Sequence, residues 1–501
     1  MLKRIRFHWR MSTRAEALEP TLEFQPELSA VPLRWVERET FPIAVAILYA
    51  LVLLIAIPGE LVQDSWATLV AGREIAQHGL PHHETLTVMA HGVRWVDQQW
   101  LAQLTFYELF RVGGLRLIVL THVALIASSF AIALVAARRR GGSPLAVFGV
   151  ASLCFFVAPW GWQLRAQSFA PLLFVLVLAA LVADGRRPSN RVFVTLPLLA
   201  LWANLHGSVV LGALLVALYG GSLLLRRSGR ETAKGVALMT LAPACVLCSP
   251  YGLSLVGYYR ELLVDPPFGR IVDEWTAPTP EARTALFYGL AFVTVWALGR
   301  HGSRLTRFEQ VVILVTLASA IHATRNILWF GLAALVLLPV LFTRGSESGR
   351  RGANPAARIG LSAALLAALV VVLAVIAAKP SNWYRSFWPS QTAVTAVAAA
   401  THDPSTRVFA SDRDADWLLW RLPQLRGRVA FDIRFELNTA TQIRRLQRYF
   451  DRTGPSWQSV ARGYQVVVLN RKDDRVRRAL LDSKRFRQVH RDQDLTVLAT
   501  R

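Results

Sequence analysis

The sequence has little cysteine and little charge, and each shortage excludes a class of protein. Only three cysteines occur among 501 residues, and Cys154, Cys245 and Cys248 all lie inside apolar runs, which argues against a disulfide framework. The C-x-x-C spacing of the last two has no second pair, so we predict a packing role rather than a metal or redox site. Charged residues make up 18% and hydrophobic residues 53%, a balance too apolar for a soluble globular protein.

Other familiar signals are missing as well. No G-x-x-x-x-G-K-[ST] motif occurs, which disfavours ATP-driven transport. No cleavable signal is evident, because the first apolar run begins only near Phe41. The net charge of +23 is not concentrated on a soluble face but lies between apolar runs, so a nucleic-acid partner is not expected.

Long apolar runs recur along most of the chain and predict a polytopic α-helical membrane protein. We count about eleven spans, some shorter than the roughly 20 residues that cross a bilayer. The predicted spans are 41–58, 114–137, 143–159, 169–184, 192–204, 208–225, 235–249, 285–299, 309–323, 326–343 and 359–378.

Arginines alternate with these runs and predict the orientation. With residues 1–40 as a cytoplasmic tail, every inner connection is strongly basic, as the positive-inside rule requires. These connections contain Arg138, Arg139, Arg140, Arg186, Arg187, Arg191, Arg226, Arg227, Arg230, Lys234, Arg300, Arg304, Arg307, Arg344, Arg350, Arg351 and Arg358. An odd number of spans then places residues 379–501 outside the cytoplasmic membrane, following a transmembrane domain of residues 41–378.

The segment 379–501 predicts a small extracytoplasmic α/β domain. Short strands are predicted at 407–411, 428–432, 464–470, 486–490 and 495–500, the last two as a hairpin turning at 492–494. Amphipathic helices are predicted at 437–450 and 474–484.

The first external loop, residues 59–113, is long and only half polar. Helical spacing in DSWATLVAGREIAQHG and in DQQWLAQLTFYELFRVGG predicts two interfacial helices that form a lid or platform at the outer surface. Asp64 follows the first span directly, at the start of the first of these helices.

Polar residues beside the spans gather at predicted outer ends, where such costly groups typically line a water-filled cavity. They are Glu60, Asp64, Asp97, Arg165, Gln167, Asn204, His206, Asp273, Glu274, His322, Arg325 and Asn326. A carboxylate there suits a general base, and arginines suit a lipid-linked phosphate because their planar fork makes paired hydrogen bonds.

Simpler structural roles are open for several of these residues. Asp64 and Asp97 could cap the helices that follow, and Glu60 could pair with Arg94 or with lipid headgroups. Arg165 and Arg325 could anchor at the membrane surface, and His206 could cap a tight turn. His322 could be a buried core histidine. Asp64, His82, His83 and Glu84 could approach a divalent cation, although the H-H-E run is more typical of a surface loop.

The first loop resembles that of the GT-C superfamily of polyprenyl-phosphate-sugar-dependent glycosyltransferases, among them the protein mannosyltransferase-like enzymes. Its largely uncharacterised bacterial members share the pattern D-x-W-x-L-x-x-G-x-x-I-x-x-x-G-x-P … T … G … W-x-x-x-x-W-L. The matching residues here are Asp64, Trp66, Leu69, Gly72, Ile75, Gly79, Pro81, Thr87, Gly92, Trp95, Trp100 and Leu101. In layout the resemblance covers roughly residues 40 to 400.

This resemblance implies a GT-C fold and an inverting sugar transfer at the outer membrane face from a polyprenyl-phosphate donor to a glycan, lipid or protein acceptor. It implies that Asp64 is the catalytic base. We further expect Arg165, Arg325, His206 and His322 to hold the donor phosphate, with Glu60, Asp97, Gln167, Asn204, Glu274 and Asn326 in acceptor-binding or supporting roles. Many GT-C enzymes carry adjacent paired acids, whereas here Ser65 follows Asp64.

Two other classes of function fit the same sequence. A transporter or flippase of a lipid-linked saccharide would also need many spans, but transporters typically place polar groups near the membrane midplane and in repeated halves. A non-catalytic envelope protein would use the external α/β domain to recruit partners.

Overall fold

A computed structural model describes residues 30–226, 228–264, 266, 268–269, 272–343 and 355–501. The chain divides into two units, residues 1–40 and 41–501. Of the predicted tail, residues 1–40, the description covers residues 30–40, which are helical and belong to the first helix, and residues 1–29 lie outside the description.

The second unit is mainly helical, and a helix occupies each of the predicted spans. The helices up to the last of these spans are α1 (Ala30–Glu60), α2 (Gln63–His78), α3 (Trp100–Arg139), α4 (Pro144–Val157), α5 (Ala170–Arg186), α6 (Thr195–Leu205), α7 (Val209–Leu224), α8 (Gly229–Val246), α9 (Ser254–Val264), α10 (Ala285–His301), α11 (Arg307–His322), α12 (Ile327–Leu337) and α13 (Pro355–Ala378).

Among the described residues, two helical stretches are long and apolar enough to cross a membrane, Trp100–Arg139 and Ala166–Arg186. Shorter apolar helices accompany them, for example at Pro144–Val157 and Val209–Leu224. The total of about eleven spans stays a prediction, because most of these helices are shorter than the bilayer core requires.

The first external loop contains both predicted interfacial helices. The first is α2, and the second is the initial part of α3, which bends at Gly114, where φ is +62°. The two helices cross at Gly72, because a Cβ atom there would lie 2.2 Å from the Gln103 carbonyl oxygen. A glycine at this crossing therefore fixes how closely α2 approaches α3.

A four-stranded sheet forms the centre of the C-terminal region, with strand order β1-β2-β4-β3. The strands are β1 (Val408–Phe409), β2 (Val466–Asn470), β3 (Phe486–Arg491) and β4 (Leu495–Thr500). The strands β3 and β4 pair antiparallel, which confirms the predicted hairpin. The remaining helices are α14 (Gln391–Ala400), α15 (Asp412–Arg421), α16 (Ala440–Asp451) and α17 (Asp474–Asp482).

The predicted strand at 428–432 is wrong, because this segment forms only isolated bridges around Val429. The segment instead joins the first external loop to the sheet. The Val88 and Met89 amides donate to the Val429 and Ala430 carbonyls at 2.8 and 3.0 Å. On its other side, Ala430 N donates to the Val408 carbonyl of β1. The loop residues thus satisfy backbone groups that a regular strand would have paired.

The faces of β2 alternate between two apolar clusters. Val466 and Val468 contact the large core that continues into the helical bundle, whereas Val467 and Leu469 face a smaller core under α16 and α17. The sheet is therefore sandwiched between α14 and α15 on the bundle side and α16 and α17 on the far side.

Tryptophans join α15 to the first external loop. Trp66 of α2 packs edge to face against Trp417 at a ring distance of 4.6 Å, and against Trp388 at 5.5 Å. Arg73, about two turns further along α2, donates to the Leu419 carbonyl at 2.7 Å. Because Trp66 and Trp417 are both fully buried, the contact between their rings holds α2 against α15.

The basic connections between helices meet at one end of the bundle, which we call the basic end. There Lys234 pairs with Asp184 at 2.6 Å, and Arg304 donates to the Thr343 carbonyl at 2.6 Å. Helix α5 reaches this end at Arg186, while its start at Ala170 lies at the opposite end, close to the segment that contains Arg165.

Candidate active site

Asp64 lies at the second position of α2 and not at its cap. The helix N-cap is Val62, so the expectation that Asp64 caps the helix is wrong. Contacts with Leu164 hold the start of α2 in place. The Ser65 hydroxyl donates to the Leu164 carbonyl, and Leu61 forms a parallel β-bridge with Leu164. The carboxylate is thereby held in the first turn of α2, opposite the segment that follows α4.

Arg165 lies between two carboxylates. Its Nη1 is 3.5 Å from Asp64 Oδ2 and 3.3 Å from Glu274 Oε2. The Arg165 side chain is 12% exposed, whereas each carboxylate is 32% exposed. Three segments far apart in sequence therefore meet at this guanidinium group, as the predicted outer clustering of polar residues requires.

Arg325 contributes the second guanidinium group of the cluster. It stacks over the Trp275 ring at 4.1 Å, next to Glu274 in the chain. The stacking is fixed by the backbone, because the Thr324 amide donates to the Thr276 carbonyl at 2.9 Å. Within the described part of the chain, no carboxylate oxygen lies within 4 Å of the guanidinium nitrogens of Arg325, which is half-buried.

His206 joins the cluster as a neutral ring. It ends α6, and its Nδ1 accepts from the Ser208 amide at 3.1 Å, so the predicted role in a tight turn is also present. Burial, with Arg325 and Arg165 adding to it, lowers the pKa of His206 to about 3. At neutral pH the proton is therefore on Nε2, which leaves His206 one N–H donor and no charge.

The surroundings of Asp64 raise its pKa above that of a free aspartate. Burial raises the pKa of Asp64 and Glu274 raises it further, against the opposing effects of Arg165 and Arg325. A carboxylate with a raised pKa is a stronger base than a free aspartate.

Three other predicted site residues lie outside the cluster around Arg165 or are used in packing. The Asn204 amide is used in packing, since it accepts from Trp100 Nε1 at 2.9 Å and donates to the Cys248 carbonyl at 2.7 Å. Asn326 donates to the Ser319 carbonyl at 3.1 Å. His322 is exposed at the end of α11, so the expectation of a buried core histidine is wrong.

Gln167 and Glu60 are two further predicted site residues. Gln167 is 8% exposed and lies in the short helical turn after Arg165. The Glu60 side chain lies outside the described part of the chain, so its predicted pairing cannot be placed. Arg94, its suggested partner, donates to Ser254 Oγ at 2.6 Å.

Asp97 is buried and is not the N-cap of α3, which is Gln99. Its Oδ1 accepts from the Gln99 amide at 3.3 Å, whereas Oδ2 has no hydrogen-bond partner among the described residues. Burial raises the pKa of Asp97 to about 7.

The Asp97 carboxyl group should make stability depend on pH. Its pKa in the folded chain exceeds the ordinary 3.8, so the folded state holds the proton more tightly, and this stabilisation is lost as pH rises from about 4 through about 7. Asp97→Asn, which mimics the protonated form, should therefore melt a few degrees higher than the unmodified chain at pH 8. Thermal unfolding in detergent at pH 5 and pH 8 checks this, and an equal difference at both pH values would contradict it.

A buried ion cluster around Arg434, which the sequence did not predict, lies near Asp97. Arg434 Nη1 is 2.6 Å from Glu84 Oε2, and the same guanidinium group binds Asp432 through Nε at 2.9 Å. It also stacks over the Trp95 ring at 4.3 Å. Glu84 is fully buried and accepts the Thr87 amide at 2.8 Å. The cluster connects the first external loop to the C-terminal region.

Helix α15 brings further carboxylates towards Asp64. Asp416 is buried, and burial together with the neighbouring Asp432 raises its pKa well above the ordinary range. Asp64 contributes to the raised pKa of both Asp412 and Asp416. The sequence contains a signal for this pair, because Asp412 and Asp416 in DRDAD are four residues apart and therefore lie on one face of a helix.

The suggested cation site is not assembled. Glu84 is engaged by Arg434, and in the described ranges no three His, Cys, Asp or Glu side chains converge to hold a metal ion. All three cysteines are free thiols.

Solved structures with the same architecture include two groups of proteins. AglB, an oligosaccharyltransferase from Archaeoglobus fulgidus, in complex with an inhibitory peptide and a dolichol-phosphate, superposes with a TM-score of 0.54 at 11% identity, over 87% of this chain and 70% of AglB. An Archaeoglobus fulgidus oligosaccharyltransferase tethered to an acceptor peptide gives 0.51 at 10% identity, over 87% of this chain and 70% of that one. ArnT from Cupriavidus metallidurans in the apo state gives 0.50 at 14% identity, over 93% and 98%.

The chain has a GT-C fold. This confirms the fold that the resemblance of the first loop implied. Protein-family models give no match, and neither do curated proteins. Because the identities are low, the comparison establishes the GT-C fold, and the chemistry has to be argued from the residues of this chain.

Proposed function

We propose that this protein is an inverting glycosyltransferase that moves a sugar from a polyprenyl-phosphate donor to an acceptor at the outer face of the cytoplasmic membrane. The observation that carries the proposal is the meeting of Asp64, Arg165, Glu274 and Arg325 on the side of a GT-C fold next to the C-terminal region. Dolichol-phosphate is bound in the AglB structure, which supports a lipid-linked donor here.

In the proposed reaction Asp64 is the base. It removes the proton of an acceptor hydroxyl as the oxygen forms a bond to the anomeric carbon of the sugar. The bond from that carbon to the phosphate oxygen breaks, and its electron pair leaves with the polyprenyl phosphate. The raised pKa of Asp64 suits this step, since the base becomes protonated as the leaving group gains negative charge.

The two arginines take different parts in this reaction. Arg165 is occupied by Asp64 and Glu274, so it acts as a positioning residue that orients the base. Arg325 has no such ion pair among the described residues and is the better donor for the phosphate. The Nε2–H of His206 is a further, neutral donor in the same cluster.

The direct test is a turnover assay with the full chain in phospholipid nanodiscs. We expect release of free polyprenyl phosphate from a radiolabelled polyprenyl-phosphate sugar without nucleotide or ion gradient. Movement of the intact lipid across vesicle membranes with no covalent product would favour a flippase instead. An intact donor in both assays would favour a non-catalytic envelope protein.

Replacing Arg325 should weaken binding of the donor more than it slows proton removal by Asp64. Arg325→Gln removes a charge-assisted contact to phosphate, for which a loss of about tenfold or more in apparent donor affinity is expected. Donor titrations with the purified variant measure it. Arg283→Gln is the matched control, because Arg283 is an exposed arginine that pairs with Glu281 in the same region. Equal donor affinities in the two variants would contradict the role of Arg325.

A further inference from the structure

A cavity of about 240 Å³ opens at the basic end, between the end of α5, the end of α7 and the start of α11. One side of it is apolar, formed by Leu181, Val182 and Phe308, which are buried. Leu225, at the rim, is 74% exposed. An exposed leucine beside a buried apolar wall is what an acyl chain would cover.

The opposite side of the cavity is polar and cationic. Arg226 and Arg307 both line it, together with Ser222 and Thr306. Arg226 also pairs with Glu231 at 3.1 Å, whereas Arg307 is exposed and is the first residue of α11. In the first turn of α11 the Glu309 amide donates to Thr306 Oγ1, whereas the Arg307 and Phe308 amides have no hydrogen-bond partner among the described residues. These two amides and the positive end of the helix dipole add to the attraction for an anion.

The charges behind the cavity are also predominantly positive. Glu309, which lines the cavity, is buried and pairs with Arg140. Arg140 is 6% exposed, and its Nε and Nη2 donors have no hydrogen-bond partner among the described residues. Arg186 also lies here, and its Nη2 donates to the Arg140 carbonyl at 3.5 Å. Two carboxylates, Glu309 and Glu231, therefore face the four guanidinium groups of Arg140, Arg186, Arg226 and Arg307, and a further anionic acceptor would balance the remaining charge.

We propose that this cavity is a binding site for the phosphate headgroup of an anionic phospholipid. The phosphate contacts Arg226, Arg307 and the first turn of α11, while an acyl chain lies along Leu225 and the apolar wall. The source is a lipid rather than free phosphate, because most of the cavity lining is apolar and Leu225 at its rim is exposed. At the basic end, which the positive-inside rule predicts to be cytoplasmic, anionic lipid is supplied by the inner leaflet.

The site is distinct from the proposed active site. It lies at the other end of α5 and uses none of the residues around Asp64. The proposal therefore stands whether or not the chain transfers sugar, and its test needs no turnover.

The test uses the purified full chain in mild detergent, with phosphatidylglycerol and phosphatidylcholine as probes. Native mass spectrometry and thermal unfolding should show retention of phosphatidylglycerol and a higher melting temperature, with no such effect of phosphatidylcholine. In Arg226→Gln/Arg307→Gln we expect affinity to fall about twenty-five-fold, which is about fivefold for each arginine at a membrane surface. Arg300→Gln, an exposed arginine of the same end outside the cavity, should bind normally.

A second variant separates loss of binding from loss of folding. Ser222→Leu fills the cavity without changing any charge and should also abolish the preference for phosphatidylglycerol. Three results would overturn the proposal: equal effects of both lipids, unchanged binding in the double variant, or the same stabilisation by inorganic phosphate alone.

Discussion

Replacing Asp64 with asparagine should reduce sugar transfer by about 100- to 10,000-fold, the range for loss of a general base. Asparagine has nearly the same shape but cannot accept the proton, so the acceptor hydroxyl would have to attack without deprotonation. The change should leave folding intact, because the Asp64 side chain is 32% exposed and does not cap α2. Turnover of a labelled donor by the purified variant measures the effect, and its elution and melting temperature report folding.

Glu274 offers a matched control for this experiment. It pairs with the same Arg165 nitrogen at a similar distance and has the same exposure, but it is not the proposed base. Glu274→Gln should therefore reduce transfer far less than Asp64→Asn. If the two variants lose activity equally, the pair of carboxylates serves only to hold Arg165, and Asp64 is not the base.

The pH dependence of turnover tests the same assignment. A base works only when deprotonated, so the rate should fall as pH drops through the pKa of Asp64, and this limb should lie above 3.8 because the pKa is raised. Glu274 is one cause of the increase. Glu274→Gln should consequently move the acidic limb to lower pH, whereas an unchanged limb would indicate that another group controls it.

Replacing Arg434 with methionine should destabilise the folded chain by about 3 kcal/mol or more, the usual cost of removing one partner of a buried ion pair. The change leaves Glu84 and Asp432 buried without their counter-charge, and it removes the stacking on Trp95. Thermal unfolding should show the loss. Limited proteolysis should show faster cleavage within residues 379–501, because the loop contact that holds this region is weakened.

Two further variants make the Arg434 result specific. Arg445→Met changes an exposed arginine of α16 and should be nearly neutral. Glu84→Gln combined with Arg434→Met should recover part of the stability, since glutamine can still accept the Leu86 and Thr87 amides without a buried charge. A double variant no more stable than Arg434→Met alone would show that Glu84 is not the source of the penalty.

Much of the helical layout could be predicted because apolar runs and basic connections are local signals. The meeting of Asp64 with Arg165 was predictable in kind, since polar groups at the same ends of spans must share a surface. The distance was not, because it depends on the Leu61–Leu164 bridge and on the start of α2 at Gln63.

The buried cluster around Arg434 could not be predicted from periodicity. Glu84 and Arg434 are 350 positions apart, and each one alone looks like a surface charge in a loop. The segment 428–432 was misassigned for a related reason. Its short apolar run between two charged residues is typical of a strand, but the backbone groups on one side pair with residues 88 and 89 of the first external loop instead of a neighbouring strand.

Those backbone bonds limit how a substrate could reach Asp64. Swinging the C-terminal region away like a hinged door would break the Val88–Val429 and Met89–Ala430 hydrogen bonds together with the Arg434–Glu84 ion pair. These contacts therefore oppose separation of the loop from that region. If the proposed function holds, a lipid-borne substrate would enter sideways, from the bilayer, and not through a gap between them.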